Sequence, residues 1–377
     1  MSKNKESVSD ELGGIINTHL NKKFKSSLGQ VSYFLTDDDA PTNVKEFISS
    51  GCDTLDFMMS NRKNGGYPVG RITELTGLEG TGKSLLAAHA LASTQRAGGL
   101  SILIDTESAV SKQFMEAIGV NTESLLYLQM DELESIFEAI EEIITKVRET
   151  NRDQLVTIIV DSVMGSTTKI EKESQWDKDG YATQKAIILS KAMRKITNRI
   201  AKERICLIFT NQLRIKLGTS YGDPYTTSGG KAIPFHSSLR VRLKTKSKLK
   251  GKIHGKEEIV GVKAQANCFK NRIGPPHRVC EFNIFYDSGV DNASSWLNAL
   301  TDYNIIKSAG SWKTFISKST GEEIKFQSVE DFDEKILKEP EYKNELFDAL
   351  SEKLVRKYKE FDVNKIEEID EGVLIDE

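Results

Sequence analysis

The sequence predicts an α/β chain built on a mostly parallel β-sheet with helices on both sides, and three observations carry that reading. Strand-like runs and helical stretches alternate from residue 46 to about 290, the order that builds parallel sheets through helical crossovers. The run LVTIIVD (155–161) is almost wholly apolar and β-branched, as a strand buried on both faces should be. The run RITELTG (71–77) leads through a glycine-rich turn straight into a helical stretch over 83–95.

Composition bounds the rest. At 377 residues the chain exceeds most single domains, which predicts one large domain with smaller appendages. Its 38% hydrophobic and 28% charged residues are those of an ordinary soluble globular protein. A net charge of −3 gives no global attraction to nucleic acid, so any such affinity must come from local clusters. Cys52, Cys206, Cys268 and Cys280 form no CxxC pair, which argues against a metal site or a disulfide framework; Cys206, in an apolar run, reads as a small core residue. The first residues carry no apolar segment like a signal peptide and no run approaches a membrane span, so a cytoplasmic protein without membrane contact is expected.

In chain order, residues 1–45 read as an N-terminal appendage. There ELGGIINTHLNKKFKSSL places Leu12, Ile15, Ile16, Leu20 and Phe24 on one helical face. Within the core of 46–290, strands are expected at 71–77, 101–105, 125–130, 155–161 and 205–210, with helices near 132–148 and 184–203. An alternating run from Leu239 reads as a further strand. Between 211 and 240 lie more than twenty residues of Gly, Thr, Ser and Tyr with hardly any core material. A compact domain rarely keeps so long a loop without a function. Residues 291–359 suggest a small α+β domain with short helices, a hairpin and a longer helix in ELFDALSEKLVRKYKEF. The last stretch, 360–377, has eight acidic residues against one lysine and reads as a fraying tail.

GLEGTGKS (Gly77, Leu78, Glu79, Gly80, Thr81, Gly82, Lys83, Ser84) fits G-x-x-x-x-G-K-[ST] between a strand and a helix, the context a phosphate-binding loop requires. Its glycines let backbone N–H groups turn toward phosphate oxygens, and the helix N-terminus adds a favourable dipole. Lys83 would reach the β and γ phosphates of ATP, and the Ser84 hydroxyl would ligate Mg²⁺. Asp161, at the C-terminal end of a strand, is the natural metal-side carboxylate, with a plain capping role as its rival. Glu107 in IDTES is placed to polarise an attacking water, and by spacing Asp105 competes for that role. Gln212 opens the long loop directly after a strand, where an amide can sense the γ-phosphate; a polar strand end needs no special role.

Taken together, GLEGTGKS, IDTESA, IIVDSV, NQLRIKLGTSYGDPYTTSGGKAIPFHSSLRVRL and CFKNRIGPP followed by EFNIFYDSGV resemble the bacterial RecA recombinases, collinearly from about residue 70 to 303. The resemblance implies a P-loop ATPase core that forms a helical filament on single-stranded DNA, takes up homologous double-stranded DNA and exchanges strands. A loader or mediator and a single-strand binding protein are further partners it implies. The long loop would be the second DNA-binding loop. Arg214 and Lys216 would contact phosphate, Leu217 would wedge between bases, and Gly229 and Gly230 would offer N–H donors; such a loop follows a backbone without reading sequence. Ser190 and Arg194 match further phosphate contacts. The first DNA loop would span about 171–183, with Tyr181 near the family's inserted apolar residue. Trp176 in that loop either stacks on a base or packs on its own subunit.

The same match assigns Glu107 rather than Asp105 as the catalytic carboxylate and Phe114 as the ring that stacks on adenine. Lys270 and Arg272 replace a pair of lysines reaching across the subunit boundary to the neighbour's ATP, and arginine changes a point donor into a planar fork. Phe235 matches a subunit contact, and the N-terminal helix would dock on the adjacent protomer. Gln265 and Asn267 stand where the family carries basic residues of a secondary duplex-DNA site. Meanwhile Arg240, Arg242, Lys244, Lys246, Lys248, Lys250 and Lys252 alternate along one segment. If regularly extended, it points all seven to one side; the readings are a relocated duplex site or a lysine-protected sheet edge. The acidic tail is either a restraint on duplex access or a solubilising end. A ring-forming helicase should lack the TTSGG loop, a non-catalytic mediator should have lost Lys83 or Glu107, and nothing suggests the acceptor site of a small-molecule kinase.

Overall fold

The computed structural model describes residues 3–28, 30–151, 153–173, 181–215, 225–227 and 229–357. The chain divides into two compact units, 1–45 and 46–377. In the first, α1 (Lys3–Leu28) carries the apolar stripe, with Leu12, Ile15 and Ile16 exposed. The Asn21 side chain accepts from the Val31 and Ser32 amides at 2.9 and 2.8 Å, which turns the following chain back along the helix.

The second unit opens with β1 (Phe47–Ile48), α2 (Asp53–Ser60), β2 (Tyr67–Pro68), β3 (Arg71–Gly77), α3 (Lys83–Arg96), β4 (Leu100–Asp105) and α4 (Lys112–Ala117). It continues through β5 (Leu125–Gln129), α5 (Leu133–Thr150), β6 (Val156–Asp161), α6 (Lys169–Glu173), α7 (Tyr181–Lys202), β7 (Ile205–Ile215), β8 (Tyr225–Thr227) and α8 (Ala232–His236). Then come β9 (Leu239–Ile253), β10 (Lys256–Asn271), β11 (Arg278–Phe285), β12 (Gly289–Asp291) and α9 (Asn292–Asp302). The end is β13 (Lys307–Ala309), β14 (Trp312–Ile316), β15 (Glu323–Phe326), α10 (Val329–Phe332) and α11 (Pro340–Leu354).

The predicted mixed α/β architecture is what forms. One large sheet runs in the order β12-β11-β10-β9-β3-β7-β6-β4-β5, with β8 added to β7. From β9 to β5 every neighbour is parallel; β10, β11 and β12 extend the sheet antiparallel. Alternation along β6 fixes its two-sided burial. Ile158 and Val160 enter the core under α5 and α7, with Ile140, Leu189 and Met193, while Ile159 enters the core under α3, with Leu86 and Leu91. Each such side chain contributes about 1.5–3 kcal/mol on full burial. A third cluster around Trp296, Phe315, Phe332 and Leu350 holds the C-terminal elements. No helix among the described residues is long and apolar enough to cross a membrane.

Three expectations need correction. The strand expected to end at Thr210 runs on to Ile215, because β8 returns to pair with Leu213, Arg214 and Ile215. The last long helix begins at Pro340, where proline costs no hydrogen bond, and ends at Leu354. Most consequentially, the alternating cations do not share one face. Lys244 lies opposite Gln265 but Lys248 lies opposite Val262, with a bulge between. Positions 265 and 262 are three residues apart and so on opposite faces; the extra residue in β9 inverts the alternation. Arg240, Arg242 and Lys244 therefore face one way, and Lys248, Lys250 and Lys252 the other.

Candidate functional site

Strand β3 delivers the GLEGTGKS turn to the C-terminal edge of the parallel strands, where α3 begins. Gly80 and Gly82 take φ of 69° and 88°, a region that favours glycine. A Cβ on Gly82 would lie 2.4 Å from Ile284 Cδ1, so that side chain of β11 would have to shift. The Lys83 ammonium donates to the Leu78 carbonyl at 2.7 Å, inside the turn. Burial lowers the Lys83 pKa, with Asp161, Glu107 and Glu79 acting in the opposite direction.

Those carboxylates arrive from neighbouring strands. Asp161, at the end of β6, is raised by burial, while hydrogen bonds from Thr210 and Ser84 pull it down. Glu107 follows β4 and accepts from the Ser162 hydroxyl at 2.8 Å. Asp105 is occupied differently: its carboxylate takes the Glu107 and Ser108 amides at 2.9 Å and the Tyr127 hydroxyl at 3.0 Å. It shapes the turn that presents Glu107. Among the described residues no three metal-ligating side chains converge. An ion held by Ser84 and Asp161 would therefore draw its remaining ligands from phosphate and water, the usual habit of Mg²⁺.

A cavity of about 460 Å³ is lined by Gly80 to Ser84, Glu107, Asp161 and, on its apolar side, Phe114, Ile284 and Tyr286. Gly77, Leu78 and Glu79 form the turn leading to it; Leu78 is exposed. Sequence reasoning missed Tyr286 and Ile284. Only the antiparallel continuation of the sheet brings β11 to the cavity, and that order is not local information. Gln212, half-buried on β7, lies in register with Gly77 at the first residue of the turn.

Two residues beyond Gln212, Arg214 lines a second cavity of about 690 Å³, together with Lys185, Thr226, Thr227, Gly229 and Gly230. Gly229 and Gly230 have φ of 86° and 74°, and Cβ atoms there would meet Leu189 at 2.4 Å and Ala186 at 3.1 Å on α7. Lys185, also missed from sequence, donates to the Met164 carbonyl at 3.2 Å and to that of Ser166. Tyr181 is the first residue of α7. Ser190 and Arg194 follow on the same helix, one turn apart. Trp176, Lys216 and Leu217 lie outside the described residues.

The third group gathers at α8. Lys270 donates to the carbonyls of Pro234 and Phe235 at 2.6 and 2.9 Å, while the Phe235 ring is 68% exposed. Burial, then Arg272 and Arg240, lower the Lys270 pKa to about 8. Arg194, Lys270 and Arg272 all act on His236. Below them Glu74, fully buried on β3, accepts from Asn211 at 3.0 Å and from Arg240. The Arg240 guanidinium lies 4.5 Å over Phe269, so Arg240 is committed to the sheet rather than to solvent.

Residues 15–291 match the model of the RecA N-terminal domain. The RecA protein of Chlorobaculum parvum is 36% identical over 288 residues, covering 76% of this chain and 79% of that protein. The RecA protein of Prochlorococcus marinus strain MIT 9515 is 35% identical over 318 residues, covering 84% and 81%. A phosphate-binding turn, a carboxylate pair at two strand ends and a loop cavity on the next strand thus occur in a chain similar to these proteins along most of its length: it belongs to the RecA family.

Proposed function

We propose that the protein is an ATP-dependent recombinase that polymerises on single-stranded DNA, hydrolyses ATP and exchanges homologous strands in recombination and repair. The observation that carries this reading is β7, which places Gln212 beside the phosphate turn and Arg214 in the loop cavity only two residues later.

ATP binds with its phosphates on the Gly80–Ser84 turn and Lys83, and its base beside Phe114 and Tyr286. Ser84 and Asp161 would hold Mg²⁺, which would supply charge neutralisation of the phosphates. Glu107, oriented by Ser162, takes the proton of the attacking water, an assistance worth roughly 10²–10⁴ in rate. Lys270 and Arg272 act on the neighbouring protomer's nucleotide, with Phe235 beside them at the contact; such a heterologous contact propagates as a filament. Single-stranded DNA follows Arg214, the Gly229–Gly230 amides, Ser190 and Arg194. The test is joint-molecule formation between a single strand and homologous duplex. Pairing that requires ATP supports the reading; ATP hydrolysis without any pairing would contradict it.

The register of the long hairpin refines the duplex site. The uncharged Asn267 and Gln265 lie directly opposite Arg242 and Lys244. Lys263 and Lys246 flank the same face, at 2.5 and 4.0 Å from Glu281. Duplex DNA is proposed to use this face rather than that of Lys248, Lys250 and Lys252. K244A/K246A should slow strand exchange several-fold with DNA-stimulated hydrolysis intact, and K248A/K250A should not. Equal effects of the two pairs would remove the assignment.

A further inference from the structure

One short turn, Val163–Gly165 just after β6, touches both sites described above. On one side Met164, Gly165 and Ser166 line the loop cavity together with Lys185 and Arg214. On the other side Gly165 packs on Glu107, which lines the nucleotide cavity. A Cβ on Gly165 would lie 2.5 Å from Thr106 Oγ1, 2.8 Å from Glu107 Cγ and 3.2 Å from Glu107 Oε1, so a side chain there would displace these neighbours.

Hydrogen bonds tie the turn to the Glu107 segment. The Ser162 amide donates to Thr106 Oγ1 at 3.0 Å, and the Thr106 hydroxyl donates to the Ser162 carbonyl at 2.8 Å. The Ser162 hydroxyl accepts from the Gly165 amide at 3.3 Å and donates to Glu107 Oε1 at 2.8 Å. Lys185, on α7, holds the turn from the cavity side. Its ammonium donates to the Met164 carbonyl at 3.2 Å and to the Ser166 carbonyl. Burial lowers its pKa, with Glu171 opposing the shift and Arg214 adding to it. An ammonium has three N–H donors. Among the described residues two of them serve these carbonyls, which leaves one for a ligand in the cavity.

We infer that Lys185 is a positioning residue for hydrolysis: a phosphate in the loop cavity draws its ammonium, and the turn held by that ammonium carries Glu107 with it through Ser162 and Gly165. The inference rests on the recombinase reading, in which Glu107 is the base and the loop cavity takes the strand. It adds to Gln212 a second link between the two sites, running past the end of β6 rather than along β7. A small displacement is enough, because a base acts only within hydrogen-bond reach of the proton it takes.

The experiment measures steady-state ATP hydrolysis by the full-length protein, without DNA and at saturating single-stranded DNA, for wild type, K185M, K185R, S162A and K185M/S162A. Methionine keeps the length of the side chain and removes its donors. K185M should lower the ratio of stimulated to unstimulated hydrolysis by about 5-fold or more, in kcat rather than in the KM for ATP. K185R, which keeps N–H donors for both carbonyls, should restore most of the ratio. In kcat at saturating DNA the double variant should lose little more than the more impaired single one, because residues acting in series do not add. Hydrogen exchange without DNA supplies a readout independent of the recombinase reading: peptides covering 161–168 and 105–108 should exchange faster in K185M than in wild type. Full stimulation in K185M, additive losses in the double variant, or unaltered exchange in both peptides would overturn the inference. Wild-type hydrolysis indifferent to DNA would instead contradict the recombinase reading, and the exchange result would then decide by itself whether Lys185 holds the turn against Glu107.

Discussion

Gln212 and Arg214 lie two residues apart on β7, the first in register with the phosphate turn and the second in the wall of the loop cavity, and the two cavities are built differently. In the first, three charged groups have defined partners: Lys83 bonds Leu78, Glu107 takes Ser162, and Asp161 takes Thr210. One side of it is apolar, with Phe114 and Ile284. The second is walled by hydroxyls, paired glycines and the charged Lys185, Arg214 and Glu171, with Met164 and Ala186 as its hydrocarbon side chains. Phosphoryl transfer rewards groups fixed before the substrate arrives. A backbone-following site gains more from N–H donors and cations that serve any sequence. On the proposed function, the difference separates a site for chemistry from a site for tracking, with Gln212 between the phosphate turn and Arg214.

Breaking the chemical side should give the largest effect. Lys83→Ala should lower ATP hydrolysis by at least about 10²-fold, as loss of a preorganised charge does, and the melting curve should show the protein still folded. Glu107→Gln should lower hydrolysis by about 10²–10⁴ while nucleotide binding, read by equilibrium dialysis, persists. Retained turnover in E107Q would return the role to Asp105. Gln212→Ala sharpens the comparison, because it should leave basal hydrolysis and DNA affinity in place and reduce their coupling. A coupling of the usual size predicts a drop in DNA stimulation of about 5- to 150-fold; equal loss of basal activity would make Gln212 part of the chemistry instead.

The smallest effect concerns Lys270. Its pKa in the free protomer is lowered to about 8, against about 10.4 in an unfolded chain. Between these values the unfolded state binds the extra proton, so this group makes stability rise with pH. Below about 8 the charged, half-buried ammonium opposes folding; through the interval to about 10.4 that opposition fades. The melting temperature of wild type relative to K270M should therefore increase between pH 7 and 10, and a flat difference would show that the lysine is not so perturbed.

The nucleotide side was legible because its signals are local. The glycine spacing, the strand before it, the helix after it, and Asp161 and Glu107 at strand ends all lie within short windows. Tyr286 was not legible: its place depends on β11 joining the sheet about 200 residues after the phosphate turn. Nor was the bulge in β9, since an extra residue has meaning only against the partner strand. The seven alternating cations looked like one stripe and become two. Arg240 illustrates a further limit, because Glu74 and Phe269, distant in sequence, claim it for the sheet. The resemblance supplied roles for the loop residues, which composition alone leaves open.

The central claim, that one strand couples hydrolysis to a nucleic-acid track, is tested most directly by steady-state ATP hydrolysis with and without single-stranded DNA over a range of salt. The account predicts strong stimulation by DNA of any sequence, fading steeply as salt rises, as release of counterions from phosphate contacts requires. Hydrolysis that is robust but indifferent to DNA at every salt concentration would contradict it.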